Sequence, residues 1–226
     1  MVSEKKTIIQ TNLSHYRYEF LLGALLLLIF DKIFILNNEF YLQYIWPINM
    51  ILISVACFGI FIEHNKNVKI VRNILSFISI LMPFGFFLYS HQYWFLQIMI
   101  LFFIIYYFFI FIEVMYQISS SVEVRLNVII GSFCGYMLLS MIALFAYLLI
   151  ELNFPKSFHG LSYGEAALNY NELSYFSFIT LTSIGFGDIY PTNDMSRLVT
   201  AFFGMVGQFY MVAVVGIIIS KFSSKG

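Results

Sequence analysis

Long apolar stretches recur along this chain and constrain its fold more than any other feature. Five of them cover 18–37, 41–62, 70–90, 92–117 and 126–151, and a sixth covers 195–220. Each matches the roughly 20 apolar residues a helix needs to cross a bilayer. The rest of the chain has too few polar residues to shield them from water, since 61% of the 226 residues are hydrophobic and only 11% are charged. Ordinary soluble domains do not reach these values. The expected fold is an all-α membrane protein with six transmembrane helices.

The first stretch reads as a retained helix rather than a removed leader, because it is long, carries Asp31 and Lys32, and has no small-residue cleavage pattern after its core. Cys57 and Cys134 lie inside apolar segments without Cys-x-x-Cys or Cys/His spacing, which predicts packing rather than a disulfide or zinc site. A formal net charge of zero and the lack of a basic cluster argue against a nucleic-acid partner. Lys156 is the one basic residue of the 152–171 loop, whereas Lys5, Lys6, Arg17, Lys66, Lys69, Arg72, Arg125, Lys221 and Lys225 flank the other connections and the termini. With six crossings the latter share one side, so both termini are expected in the cytoplasm.

Between the fifth and sixth stretches lies a partly polar segment, 172–192, too short to cross and return as two helices. It is expected to be re-entrant. Asn171 suits an N-cap and Glu172 the positive end of a helix dipole, so Leu173 to Thr182 reads as a half-helix whose carboxyl end favours a cation. Gly185-Phe186-Gly187 follows, and glycine allows backbone angles that turn successive carbonyls toward one axis. Irregular backbone at membrane depth must be buried in protein or line a wet cavity. Carbonyls of Ser183, Ile184, Gly185 and Phe186, with the Ser183 hydroxyl as an inner ligand, form a set of neutral oxygens suited to a dehydrated monovalent ion.

The run Thr180-Leu181-Thr182-Ser183-Ile184-Gly185-Phe186-Gly187-Asp188-Ile189-Tyr190-Pro191 resembles the potassium-channel signature. The similarity extends over about 126–221, as outer helix, turret, pore helix, filter and inner helix. It implies K+ ions held at Ser183, Ile184, Gly185, Phe186 and Gly187, support from Thr182, Asp188 at the outer mouth, and a homotetramer. Two residues depart from the family pattern: Ser183 stands where threonine is usual and Phe186 where tyrosine is usual. Tyr175 is placed to offer Asp188 the hydrogen bond that Phe186 lacks.

The chain divides on this reading into a front domain, 1–121, and a pore domain, 122–226. Gly207 matches the glycine at which inner helices of the family bend, with close packing as the alternative. Gly131 and Gly135 form a Gly-x-x-x-Gly pair expected to mark helix packing. The fourth stretch has no Lys or Arg from Gln92 to Phe111, so a conventional voltage sensor is not expected. Asp31, Lys32 and Glu113 are expected to reach toward the interfaces. His15, His64, His91 and His159 are scattered and no catalytic motif occurs, which argues against an enzyme. The predicted function is passive potassium conduction with no organic cofactor, the lipid bilayer and sister subunits as partners, and no identifiable gating ligand. A non-selective cation channel and, less well supported, a secondary transporter are the alternatives. The resemblance also suggests a bacterial plasma membrane.

Overall fold

The computed structural model describes residues 17–35, 37, 40–58, 66–89, 92–121, 126–162 and 169–223. Lys5, Lys6, His15, His64, His91, Arg125 and Lys225, used above to orient the chain or weighed as candidate sites, lie outside these residues. Among the described residues seven α-helices follow one another: α1 Arg17–Phe30, α2 Trp46–Phe58, α3 Lys66–Tyr89, α4 Tyr93–Ser120, α5 Leu126–Asn153, α6 Asn169–Leu181 and α7 Asp194–Ser223. Two short strands, β1 Phe158–His159 and β2 Tyr190–Pro191, pair antiparallel, with Phe158 opposite Pro191 and His159 opposite Tyr190.

Among the described residues three helices are long and apolar enough to cross a membrane: α4, α5, and α7 over Asp194–Val214. The first expected span is broken. Its α-helix ends at Phe30. A 3-10 turn over Asp31–Phe34 follows. Asp31 accepts a bond from the Tyr41 hydroxyl at 3.1 Å and another from the Asn49 side-chain amide. Lys32 Nζ donates to the Ile35 carbonyl at 2.7 Å. Both charges are therefore held by the protein, in contrast to the expected reach to the interface. The second span opens on a π turn, Tyr41–Ile45, in which the Trp46 N–H reaches back five residues to Tyr41. Pro47 explains the wider turn, since its ring would clash with the carbonyl four residues earlier and it has no N–H to give.

The core is built around α5. In its most apolar window 78% of residues are buried, against 33% for α4 and 22% for α7. It packs against α1, α4, α6 and α7 at once. The Gly131/Gly135 pair does mark packing, but it seats tyrosine rings. A Cβ at Gly131 would lie 3.1 Å from the Tyr18 ring, and one at Gly135 would overlap the Tyr210 hydroxyl. That hydroxyl donates to the Ser132 carbonyl at 2.6 Å. Tyr18 in turn donates to Gln117 at 2.5 Å, and the Gln117 amide donates to Glu113 at 2.6 Å. Glu113 thus joins a network linking α1 to α4. Cys57 and Cys134 are both buried free thiols.

Aromatic contacts run from the front helices to α6. Phe103 stacks on Phe145 at 5.4 Å, Phe145 meets Tyr170 at 6.3 Å, and Tyr170 meets Trp46 at 5.8 Å. Tyr170 is almost fully buried, and this anchorage accounts for a correction: the chain is already helical at Asn169, so Asn171 lies inside α6 and does not cap it. The division expected at 121/122 falls between α4 and α5, which lie side by side.

Replacing Phe145, 1% exposed, with alanine is expected to destabilise the protein by about 3 kcal/mol or more. A fall of several degrees in the thermal midpoint of detergent-purified protein would register it, while Phe154→Ala, at an exposed site, would leave the midpoint near its starting value.

Candidate functional site

The half-helix α6 is held at both ends. Near its start Glu172 accepts bonds from the Ser162 N–H at 2.8 Å and the Ser162 hydroxyl at 2.5 Å. At its end the Ser183 N–H bonds the Thr180 carbonyl and the Ile184 N–H bonds the Ile179 carbonyl, both at 3.0 Å. This pair of bonds defines a Schellman cap, whose left-handed position usually holds glycine. Here it holds Ser183, at φ 58°. The Gly185 N–H also returns to Ile179, at 3.1 Å, and Thr182 sends both its N–H and its hydroxyl to Phe178, at 3.0 and 2.7 Å.

These bonds orient the carbonyls. In a trans peptide the C=O of one residue points opposite to the N–H of the next, and no peptide here is cis. With the N–H groups of Ser183, Ile184 and Gly185 directed back at α6, the carbonyls of Thr182, Ser183 and Ile184 point away from it. Positive φ recurs at Gly185, 54°, and Gly187, 82°, but not at Ile184 or Phe186. Ser183, Gly185 and Gly187 thus take the left-handed φ at every second residue. A Cβ at Gly185 or Gly187 would meet nothing within 4 Å. Backbone conformation, not lack of room, is what calls for glycine there. All seven residues from 182 to 188 are exposed in a single protomer.

The far end of the segment is fastened to the loop that follows α5. His159 stacks on Tyr190 at 4.6 Å, and the Thr192 N–H bonds the Ser157 carbonyl at 2.9 Å. Glu151 accepts the N–H groups of Lys156 and Phe158 at 2.7 and 3.2 Å. Gly160, at φ 88°, passes so close to the Asp188 carbonyl that a Cβ would overlap it. The Tyr175 hydroxyl and the Asp188 carboxylate are near enough to interact. A reciprocal cap starts α7: Asn193 Oδ1 accepts the Ser196 N–H at 2.9 Å, and Ser196 Oγ accepts the Asn193 N–H at 3.3 Å.

Underneath, α7 crosses the end of α6. A Cβ at Gly207 would lie 2.7 Å from the Leu181 carbonyl oxygen and 2.9 Å from Leu181 Cα. The helix runs unbroken through this residue, so what the geometry carries is a close-packing role. The next residue, Gln208, donates from Nε2 to Ser183 Oγ at 2.7 Å. Sequence reasoning missed Gln208. The available signal was a carboxamide in an otherwise apolar stretch, directly after the packing glycine.

Ser183, Ile184, Gly185, Phe186 and Gly187 thus form one continuous segment, with Thr182 at its base and Asp188 and Tyr175 at its outer end. Among the described residues no group of three or more His, Cys, Asp or Glu side chains could hold a metal ion. Over residues 182–187 the oxygens on offer are those of the backbone and of the Thr182 and Ser183 hydroxyls.

In comparison with known proteins, this part of the chain is similar to ion channels. Residues 126–224 match the family model described as "Ion channel". A stretch of 35 residues is 49% identical to "Potassium channel K2" of Plasmodium berghei (strain Anka), covering 16% of this chain and 2% of that protein. No solved structure matches the chain.

Gly207→Ala is expected to lower the thermal midpoint, because its methyl meets backbone that cannot rotate away; overpacking of this kind costs about 1–3 kcal/mol. Gly216→Ala, where nothing lies within 4 Å, provides the comparison and should leave the midpoint unchanged.

Proposed function

We propose that the chain is one subunit of a homotetrameric, potassium-selective channel of the plasma membrane, with residues 183–187 as its selectivity filter. The observation that carries this reading is the direction of the peptide groups: the N–H groups of Ser183, Ile184 and Gly185 are spent on α6, the oxygens of Thr182, Ser183 and Ile184 are turned away from it, and left-handed φ recurs at Gly185 and Gly187. A row of carbonyls at fixed spacing replaces the hydration shell of a cation without any net charge of its own. That chemistry favours a monovalent ion, since divalent sites usually recruit carboxylates.

One such row cannot enclose an ion. Closed rotational symmetry supplies the others, and four copies is the number the resemblance implies. The bare filter strand supports an assembly: Ile184 is 57% exposed and Phe186 is 72% exposed in the protomer, although both are large and apolar. On α7, Leu198, Phe202, Met205 and Phe209 are exposed as well. Sister subunits and lipid would cover them.

At the outer mouth, Tyr175 takes over the anchoring of Asp188 that the Phe186 ring cannot provide. Below the filter, bending α7 at Gly207 would draw it off the Leu181 carbonyl, so a hinge at this residue would act directly on the filter's foundation. The front helices offer no row of basic residues on α4, and conduction is proposed to be passive. Six crossings with both termini in the cytoplasm would place the filter near the outer surface, as the distribution of basic residues requires.

Purified protein in planar bilayers, with potassium on one side and sodium on the other, is expected to reverse close to the potassium equilibrium potential. A reversal near zero with discrete steps would make it a non-selective cation pore, and saturable flux coupled to protons or sodium without steps would make it a transporter. Gly185→Ala should abolish selective current, because a side chain resists the left-handed conformation by about 1 kcal/mol in every subunit.

A further inference from the structure

Ser183 has a weakness as an inner cation ligand. A β-branched residue is stiff about χ1, whereas serine distributes its hydroxyl over three staggered positions. Something else must hold the oxygen if the lowest site is to keep a fixed geometry. The structure offers a candidate on a different element. Gln208 Nε2 lies 2.7 Å from Ser183 Oγ and 3.4 Å from the Leu181 carbonyl oxygen. A backbone carbonyl only accepts, so the atom that faces both is the nitrogen, and the carboxamide donates to the serine.

We infer that Gln208 is a positioning residue for the filter: its amide fixes the Ser183 hydroxyl at the inner cation site and thereby sets how strongly the pore prefers potassium to sodium. A hydroxyl oxygen has two lone pairs. The amide occupies one and leaves the other for the ion, and because the amide is a donor it also turns the Ser183 proton elsewhere. The position of Gln208 is itself fixed. Gly207 brings the α7 backbone against Leu181 with no room for a side chain, so the carboxamide that follows starts from a defined point. Gln208 is exposed in the single chain, and the shorter of its two hydrogen bonds there goes to Ser183. The same contact reaches toward Leu181, one of the carbonyls at the carboxyl end of α6. Gln208 therefore links the inner helix to the foot of the filter through a side chain, beside the backbone contact at Gly207.

This inference rests on the proposed channel function and deepens it, and the test separates the two. Gln208→Met keeps side-chain length and helix propensity but has no N–H, and Gln208→Asn keeps the amide but withdraws it by one methylene. From reversal potentials of purified protein in bilayers under mixed potassium and sodium, each is expected to lower the potassium-to-sodium permeability ratio about fivefold, the effect of one neutral hydrogen bond. In a Ser183→Ala background, Gln208→Met should change the ratio by less than about twofold, because the group it acts through is gone. An unchanged ratio in both single variants would overturn the inference. So would an equal fall with and without the Ser183 hydroxyl, which would mean that Gln208 acts on ions in the cavity directly. If Gln208→Met does not assemble, the asparagine variant and its own pairing with Ser183→Ala decide the matter. A wild-type reversal near zero would instead remove the potassium-selective reading itself, whereas a selective wild type with unaffected variants removes only the role of Gln208.

Discussion

The N–H groups of Thr182, Ser183, Ile184 and Gly185 all return to carbonyls of α6, and the rear of the chain is arranged to hold that turn. Peptide geometry does the rest. Once those N–H groups are committed to the helix end, the oxygens of Thr182, Ser183 and Ile184 must point away from it. The left-handed residue that makes the cap possible is Ser183, which accepts roughly 1–2 kcal/mol of backbone strain that glycine would avoid. In exchange a hydroxyl stands at the foot of the oxygen row, where glycine would leave nothing.

Such a turn has to be supported from every side, because lipid cannot satisfy its polar groups. From below, Gly207 lets α7 touch Leu181 and Gln208 reach Ser183. From above, the β1–β2 bridge and the His159–Tyr190 stack tie the chain after Asp188 to the loop that follows α5. From behind, Phe145 and Tyr170 connect α6 to α5, and through Phe103 and Trp46 to the front helices. The front of the protein is therefore physically continuous with α6, and forces on α2 or α4 have a packed path to it.

Much of the site was legible because its residues are adjacent in sequence. Gly185 and Gly187 advertise unusual backbone angles, and both have them. The Tyr175–Asp188 juxtaposition was legible for a related reason: one helix and one short loop separate the two. Ser183 in a left-handed conformation was not, since serine adopts ordinary backbone angles in most places and only the closing bonds of the cap impose this one. Gln208 was out of reach because it meets Ser183 across 25 residues and a helix crossing. The front helices show the opposite error. Apolar length suggested six uniform spans, but Asp31 bonds to Tyr41 and Asn49, and Pro47 widens the turn before it, so hydropathy alone overstated the regularity of the first two.

By itself the sequence determined that this chain belongs in a bilayer, that it is helical, and that one short segment between its last two long helices must be irregular and lined with oxygens. Those properties follow from apolar length, from the backbone freedom of two glycines, and from the requirement that buried peptide groups be satisfied. Which helix forms the core, how Gly207 is used, and what holds the Ser183 hydroxyl were decided only by tertiary structure. The physical reason is that each depends on a close approach between distant segments: α5 among four other helices, α7 against Leu181, and a carboxamide 2.7 Å from a serine oxygen. Local sequence sets which backbone conformations are open to a residue, but not which neighbour will be there to use them.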